Sequence, residues 1–298
     1  MAKSQNQIDG EKASLKSIML MKAYVDQAAP TEAELQAVEA QLIIANGKYI
    51  AADANTPGEI GVDEFFKVIQ NIASTQLQLA EVNPATKVAK LNEVVAIIDQ
   101  ALAVPSLAAA KTPDLNGYKL IAIFNKAQHF MIEFDGDKTL ANLEAVIAAA
   151  EEGLVVNNAD ADLTAIRQYA TAAVVPTLTS LAIAEIVGGT SFTDFINGKP
   201  IGANLDDLIT VSDLADSIAS KARFEYNLAL ADPLDPAITH DKATCCVLIN
   251  SVIGERAEAN GTLSAMISTS EQVVALLVDD IDAAVAPLGE DFSVFTWA

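Results

Sequence analysis

The chain reads as an all-α protein, a multi-helix bundle or bundles of about ten to twelve helices with little or no sheet. Three observations predict this. Apolar residues recur at the helical period of 3.6 along nearly the whole chain. Alanine supplies about one residue in six while aromatics supply only 5%, a balance that favours closely packed helices over sheets. Caps and breakers also fall where such helices would start and stop.

A first helix is expected from about Lys12 to Gln27, with Leu15, Ile18, Met19, Lys22 and Val25 on one side and Pro30 as its stop. Thr31 and Glu34 form a capping box for the second helix, expected to end near Asn46-Gly47. After the turn-rich ADANTPGEIG comes a helix from Val62 or Asp63 to about Glu81, burying Phe66, Ile69, Ile72, Ala73 and Leu77. Asn83-Pro84 caps the next, whose stripe of Leu91, Val94, Val95, Ile98 and Leu102 ends before Pro105. Residues 1–104 thus suit an N-terminal helical bundle, and PSLAAAKTPDLNG, 105–117, with its two prolines, reads as a linker or crossover.

Residues 118–298 form the C-terminal helical region, a single elongated domain being the alternative division. Leu120, Ile123, Phe124, Ala127, Met131 and Phe134 share a face, and DGDKT turns the chain into a helix over Thr139–Glu152, closed by Gly153. Further helices are expected at about 161–175, 177–187, 205–231, 240–258 and 263–286, with 188–204 as the longest loop.

Charge excludes several functions. Lys and Arg number 18 against 40 Asp and Glu, a net charge of −22. Residues 151–298 hold 6 basic and 22 acidic residues, so this half supplies −16. Such a surface repels phosphate backbones and anionic headgroups, which argues against direct nucleic-acid or membrane binding and leaves a divalent cation or basic partner as the welcome charge. The polar N-terminus MAKSQNQIDGEKASLKS has no apolar signal-like core, and the uncharged run Gln168–Ala184 reads as a buried helix. The expected location is the cytoplasm or an assembled particle.

The window THDKATCCVLIN holds both cysteines and His240. With Thr239 as cap, Cys245, Leu248, Ile249, Val252 and Ile253 make one apolar face. Two poorly aligned thiols and one histidine do not converge as zinc ligands, so the window reads as the start of a core helix. Asn158, Asp160 and Asp162 alternate like the start of a calcium loop, yet Leu163 stands where the turn needs glycine and Tyr169 where the bidentate glutamate belongs. Asp135 and Asp137 raise the same question, and all five remain weak calcium candidates. The paired acids Asp206-Asp207 and Asp279-Asp280 read as solvated faces. There is no Glu-x-x-His, Gly-x-Ser-x-Gly, P-loop or Gly-x-Gly-x-x-Gly, so no catalytic residue or cofactor is assigned. The glycine-containing segment 188–204 follows a helix instead of a strand, against a phosphate loop.

The C-terminal LGEDFSVFTWA carries Phe292, Val294, Phe295 and the single tryptophan, Trp297. Aromatic side chains at a terminus gain from burial, either on the chain's own core or on a subunit or partner. These features point to a non-catalytic structural or assembly subunit of a homo-oligomeric particle, shell, filament or virion, partnered by copies of itself or other protein subunits. The alternatives are a helical binding module for an apolar ligand or basic protein, and a carboxylate enzyme using a divalent cation.

Overall fold

The computed structural model describes residues 3–27, 30–198 and 211–252. Among these residues there are ten α-helices and no strand, an all-α multi-helix bundle. They divide into two compact units: residues up to Asp137 with Ala145–Gln168, and Lys138–Glu144 with the chain from Tyr169 onward.

In the first unit, α1 (Gln5–Val25), α2 (Glu32–Asn55), α3 (Val62–Val82), α4 (Lys87–Leu102) and α5 (Pro105–Gly136) each pack on their neighbour in sequence, and α3 also meets α5. The reciprocal Thr31–Glu34 capping box starts α2, and Asn83 caps a short 3-10 turn, Pro84–Thr86, that leads into α4. The α4 stripe is as expected, with Leu91, Val94 and Ile98 buried and Val95 and Leu102 partly so. The buried face of α3 is rotated slightly from the expected one: Phe65 and Leu79 are buried, while Phe66 and Leu77 are only partly covered.

Several expectations are corrected. The first helix begins seven residues earlier than the expected Lys12, at Gln5, where the Ser4 hydroxyl accepts from the Gln7 N–H. Its buried residues are Gln7, Gly10, Ala13 and Ser17, whereas Leu15, Ile18, Met19 and Val25 lie outside. The cause is steric. A Cβ on Gly10 would run into the Tyr49 ring, so α1 seats close on α2 only through its small residues. Tyr49 itself is held by a hydrogen bond to Glu64 Oε1 at 2.8 Å and an edge-on contact with Phe65, centroids 5.6 Å apart.

Helix α2 runs past Asn46-Gly47 to Asn55, carried by burial of Tyr49 and Ala52 beyond the glycine. Residues 105–117, expected as a linker or crossover, are helical and open α5: Pro105 stands in the first turn, where no N–H is needed, and Leu107 and Leu115 are buried in the core. Gly153 does not close a helix. It lies inside α6 (Leu140–Val156), where a Cβ would collide with Leu163, so the glycine permits close helix approach.

Helix α7 (Ala161–Val187) is one element through Pro176, where two were expected. Burial of Val174, Leu178 and Ala182 on either side offsets the lost backbone bond. Helix α7 is the one described helix long and apolar enough to cross a membrane, with a window of mean hydropathy 1.7 that is 44% buried here. The expected loop after it contains a short helix, α8 (Phe192–Gly198), with Phe192 and Phe195 buried. Helices α9 (Val211–Ala231) and α10 (Lys242–Ser251) pack on each other. Asp206-Asp207, the acids at 279–282, the helix expected at 263–286 and the aromatic residues Phe292, Val294, Phe295 and Trp297 lie outside the described residues.

Candidate functional site

The cysteine window folds as a core helix. Cys245, Cys246, Leu248 and Val252 are all buried, but the cap is Asp241 and not Thr239: Asp241 Oδ1 accepts from the Thr244 N–H at 2.7 Å. Hydrogen bonding to Thr244 holds the Asp241 carboxyl below its ordinary value. Burial, helped by the negative charges of Glu225 and Asp241, pushes the Cys245 thiol up to about 11. A thiol so protonated and covered is a packing group, since the thiolate is the reactive form.

Thr239 has another task. Glu225, buried in α9, accepts hydrogen bonds from the Thr239 hydroxyl at 2.8 Å, the His240 N–H at 3.0 Å and His240 Nδ1 at 2.8 Å. Burial alone would raise the Glu225 carboxyl, but these donors hold it below its ordinary value. The result is a clasp that fixes the chain entering α10 against α9. The other histidine, His129, faces Glu133 one turn along α5, with Nε2 3.3 Å from Oε1.

The calcium candidates take up helix-end duties. Asp160 Oδ1 accepts from the Leu163 N–H at 3.0 Å and thereby caps α7, Asp162 stands in the first turn, and Asn158 is exposed. Asp135 lies in the last turn of α5 and Asp137 is its C-terminal cap. No three His, Cys, Asp or Glu side chains gather as a metal site among the described residues.

What sequence reasoning missed lies on the first three helices. A cavity of about 390 Å³ opens between α1, α2 and α3. Ile18, Met21 and Val25 of α1 and Val38 and Leu42 of α2 supply its apolar wall. Ser17, Lys22, Asp26, Asn71, Ser74 and Thr75 complete the lining with polar residues. Thr75 is 0% exposed and its hydroxyl has no hydrogen-bond partner. The sequence places Ile18 and Val25 on one side of the first helix, but local spacing does not show that a gap lies between that side and two other helices.

Outside the cavity, the same helix presents Leu15 and Met19 to solvent together with Lys12 and Lys16, and Lys22 stands exposed at the cavity's edge. From Lys12 to Val25 the segment contains three lysines and no acid. This is a cationic, apolar face on a strongly acidic chain. No protein-family model, curated protein or solved structure matches the sequence.

Proposed function

We propose that the chain is a non-catalytic assembly subunit of a homo-oligomeric particle, shell or filament, and that the outer face of α1 seats on an acidic surface of a neighbouring copy. The exposed stripe carries this reading: Leu15 is 61%, Ile18 54%, Met19 73% and Val25 68% exposed on one helix. Contiguous apolar faces of this kind mark interaction surfaces more often than they persist bare. The lysines beside it choose the partner's charge. A second copy offers −16 in residues 151–298 alone, so attraction between unlike surfaces of two copies follows from the chain's own composition.

Contact between unlike patches is heterologous, and repetition of such a contact builds rings or filaments. The aromatic residues Phe292, Val294, Phe295 and Trp297 would add anchors to the same assembly.

Size-exclusion chromatography with light scattering tests the proposal on the intact chain. The expected result is a species larger than the 31.3 kDa single chain, reduced to one chain by Leu15→Gln with Met19→Gln and weakened by salt. A wild type that stays a single chain across concentration, or a double variant that assembles like wild type, overturns it.

A further inference from the structure

Helix α2 carries its polarity reversed. Two of its charged residues are turned inward: Glu39 is 6% exposed and accepts from Lys90 Nζ at 3.0 Å, and Asp53 is 7% exposed and accepts from the Gly58 N–H at 2.8 Å. Its outward side holds Ile43 and Ile44, 47% and 48% exposed. Neighbouring α3 shows the usual arrangement, with Asp63, Glu64, Lys67, Gln78 and Glu81 in solvent. An exposed row of alanine alone would need no explanation, since alanine is the best helix former. Two β-branched residues in the middle of that row gain nothing from solvent or from helix propensity, so this face gains by being covered.

The kind of cover follows from the spacing. Ala33, Ala37, Ala40, Ile44, Gly47 and Ala51 succeed one another at alternating steps of four and three, the repeat that keeps one seam of a helix against another helix. All but the half-buried Ala51 are exposed, and none is charged. We infer that this face pairs, antiparallel and about a two-fold axis near position 42, with the same face of a second copy of the chain. In that register Ala33 lies on Ala51 of the second copy, Ala37 on Gly47 and Ala40 on Ile44, so the bulky residue of the seam meets a small one. Glu34 and Lys48 border the seam on one side and come opposite each other across the axis, which gives two unlike-charge pairs. Parallel pairing would instead set Ile44 on Ile44 and join no unlike charges. The contact maps one surface onto itself, unlike the heterologous α1 contact, and does not depend on it. A narrow seam of small residues suits a weak pair, with a dissociation constant on the order of 100 µM. Copies already gathered by another contact would form it at far lower concentration.

Sedimentation equilibrium on the Leu15→Gln, Met19→Gln protein reads this contact apart from α1. A single chain at about 5 µM should become a two-chain species at about 500 µM. Ala40→Glu, at an exposed position and with a good helix former, should weaken the pair at least tenfold while the helical circular dichroism is unchanged. Register is read by oxidising cysteine variants of the otherwise wild-type chain, whose own Cys245 and Cys246 are buried. A mixture of Ala37→Cys and Gly47→Cys proteins, one of them tagged, should give the mixed disulfide. Either variant alone should give at least tenfold less, because like positions then stand ten residues, about 15 Å, apart along the seam and beyond disulfide reach. A protein that stays a single chain at about 500 µM, a folded Ala40→Glu variant that pairs like its parent, or an Ala37→Cys protein that cross-links alone as readily as the mixture overturns the inference. Slow maleimide labelling of Ala37→Cys in the single chain overturns it too, since another segment of the same chain would then cover the face. The α1 contact is read at low concentration, so each of these failures leaves that reading standing.

Discussion

Helices α1 and α10 each dock on a neighbouring helix, and they do so in opposite ways. Helix α10 buries the apolar face that its spacing announces, with Cys245, Leu248 and Val252 inside. Helix α1 buries Gly10, Ala13 and Ser17 and leaves Leu15, Ile18, Met19 and Val25 outside. The difference teaches that an apolar stripe identifies a face that gains by being covered, not the element that covers it. Which face turns inward is decided by the shape of the partner. At α1 the partner presents the Tyr49 ring, and only a face without side-chain bulk fits against it.

The steric account of α1 has the largest predicted consequence. Gly10→Leu should destabilise the first unit by about 3 kcal/mol, because Tyr49 is fixed by Glu64 and Phe65 and has no easy retreat. Gly47→Ala is the matched control, a helical glycine with nothing within 4 Å of an added Cβ. It should stabilise by up to about 1 kcal/mol. Urea unfolding measures both, and a Gly10→Leu protein as stable as wild type would break the comparison at its root.

The α10 side of the comparison rests on the Glu225 clasp. Glu225→Gln turns one carboxylate oxygen into a donor facing N–H groups, and about 2 kcal/mol of local stability should be lost, read as faster amide exchange in α10. The pH dependence has a definite sign. Because Glu225 titrates below its ordinary 4.5 when folded, its contribution is present above pH 4.5 and is lost as pH falls through the lower folded value. The gap between wild type and Glu225→Gln should therefore close on acidification below about 4.5. A gap that widens instead would mean another group holds the clasp.

Asp241→Ala should cost about 1 kcal/mol through loss of the α10 cap, with exchange again the readout. Thr239→Ala should leave that cap intact and act through Glu225 instead. This pair also bears on what could be read in advance. Helix number and class, the α2 capping box, the α4 stripe and the buried cysteines all follow from local spacing and local caps, which is why they were legible. The choice between Thr239 and Asp241 depended on Glu225, fourteen residues away, and no local rule weighs that competitor. Pro113 and Pro176 were read as breaks because their backbone penalty is local, whereas the core burial that keeps their helices continuous is not. The cavity was illegible for the same reason, since its lining is drawn from α1, α2 and α3 together.

The smallest expected effect on stability sharpens the comparison most. Leu15→Gln with Met19→Gln replaces two exposed apolar side chains by polar ones of similar length, so urea unfolding should shift by less than about 0.5 kcal/mol. Equivalent changes at Cys245 and Leu248 of α10, both fully buried, should cost several kcal/mol, because each would place an unpaired amide in the core. If the α1 pair instead destabilises the monomer substantially, those side chains are covered within the chain and the outward face is not a face at all. If stability holds while the assembled species disappears from light scattering, an apolar stripe that contributes nothing to the fold has been kept for contact between copies. Two helices with the same sequence signature would then be separated by what covers them: for α10 the chain's own core, for α1 the next subunit.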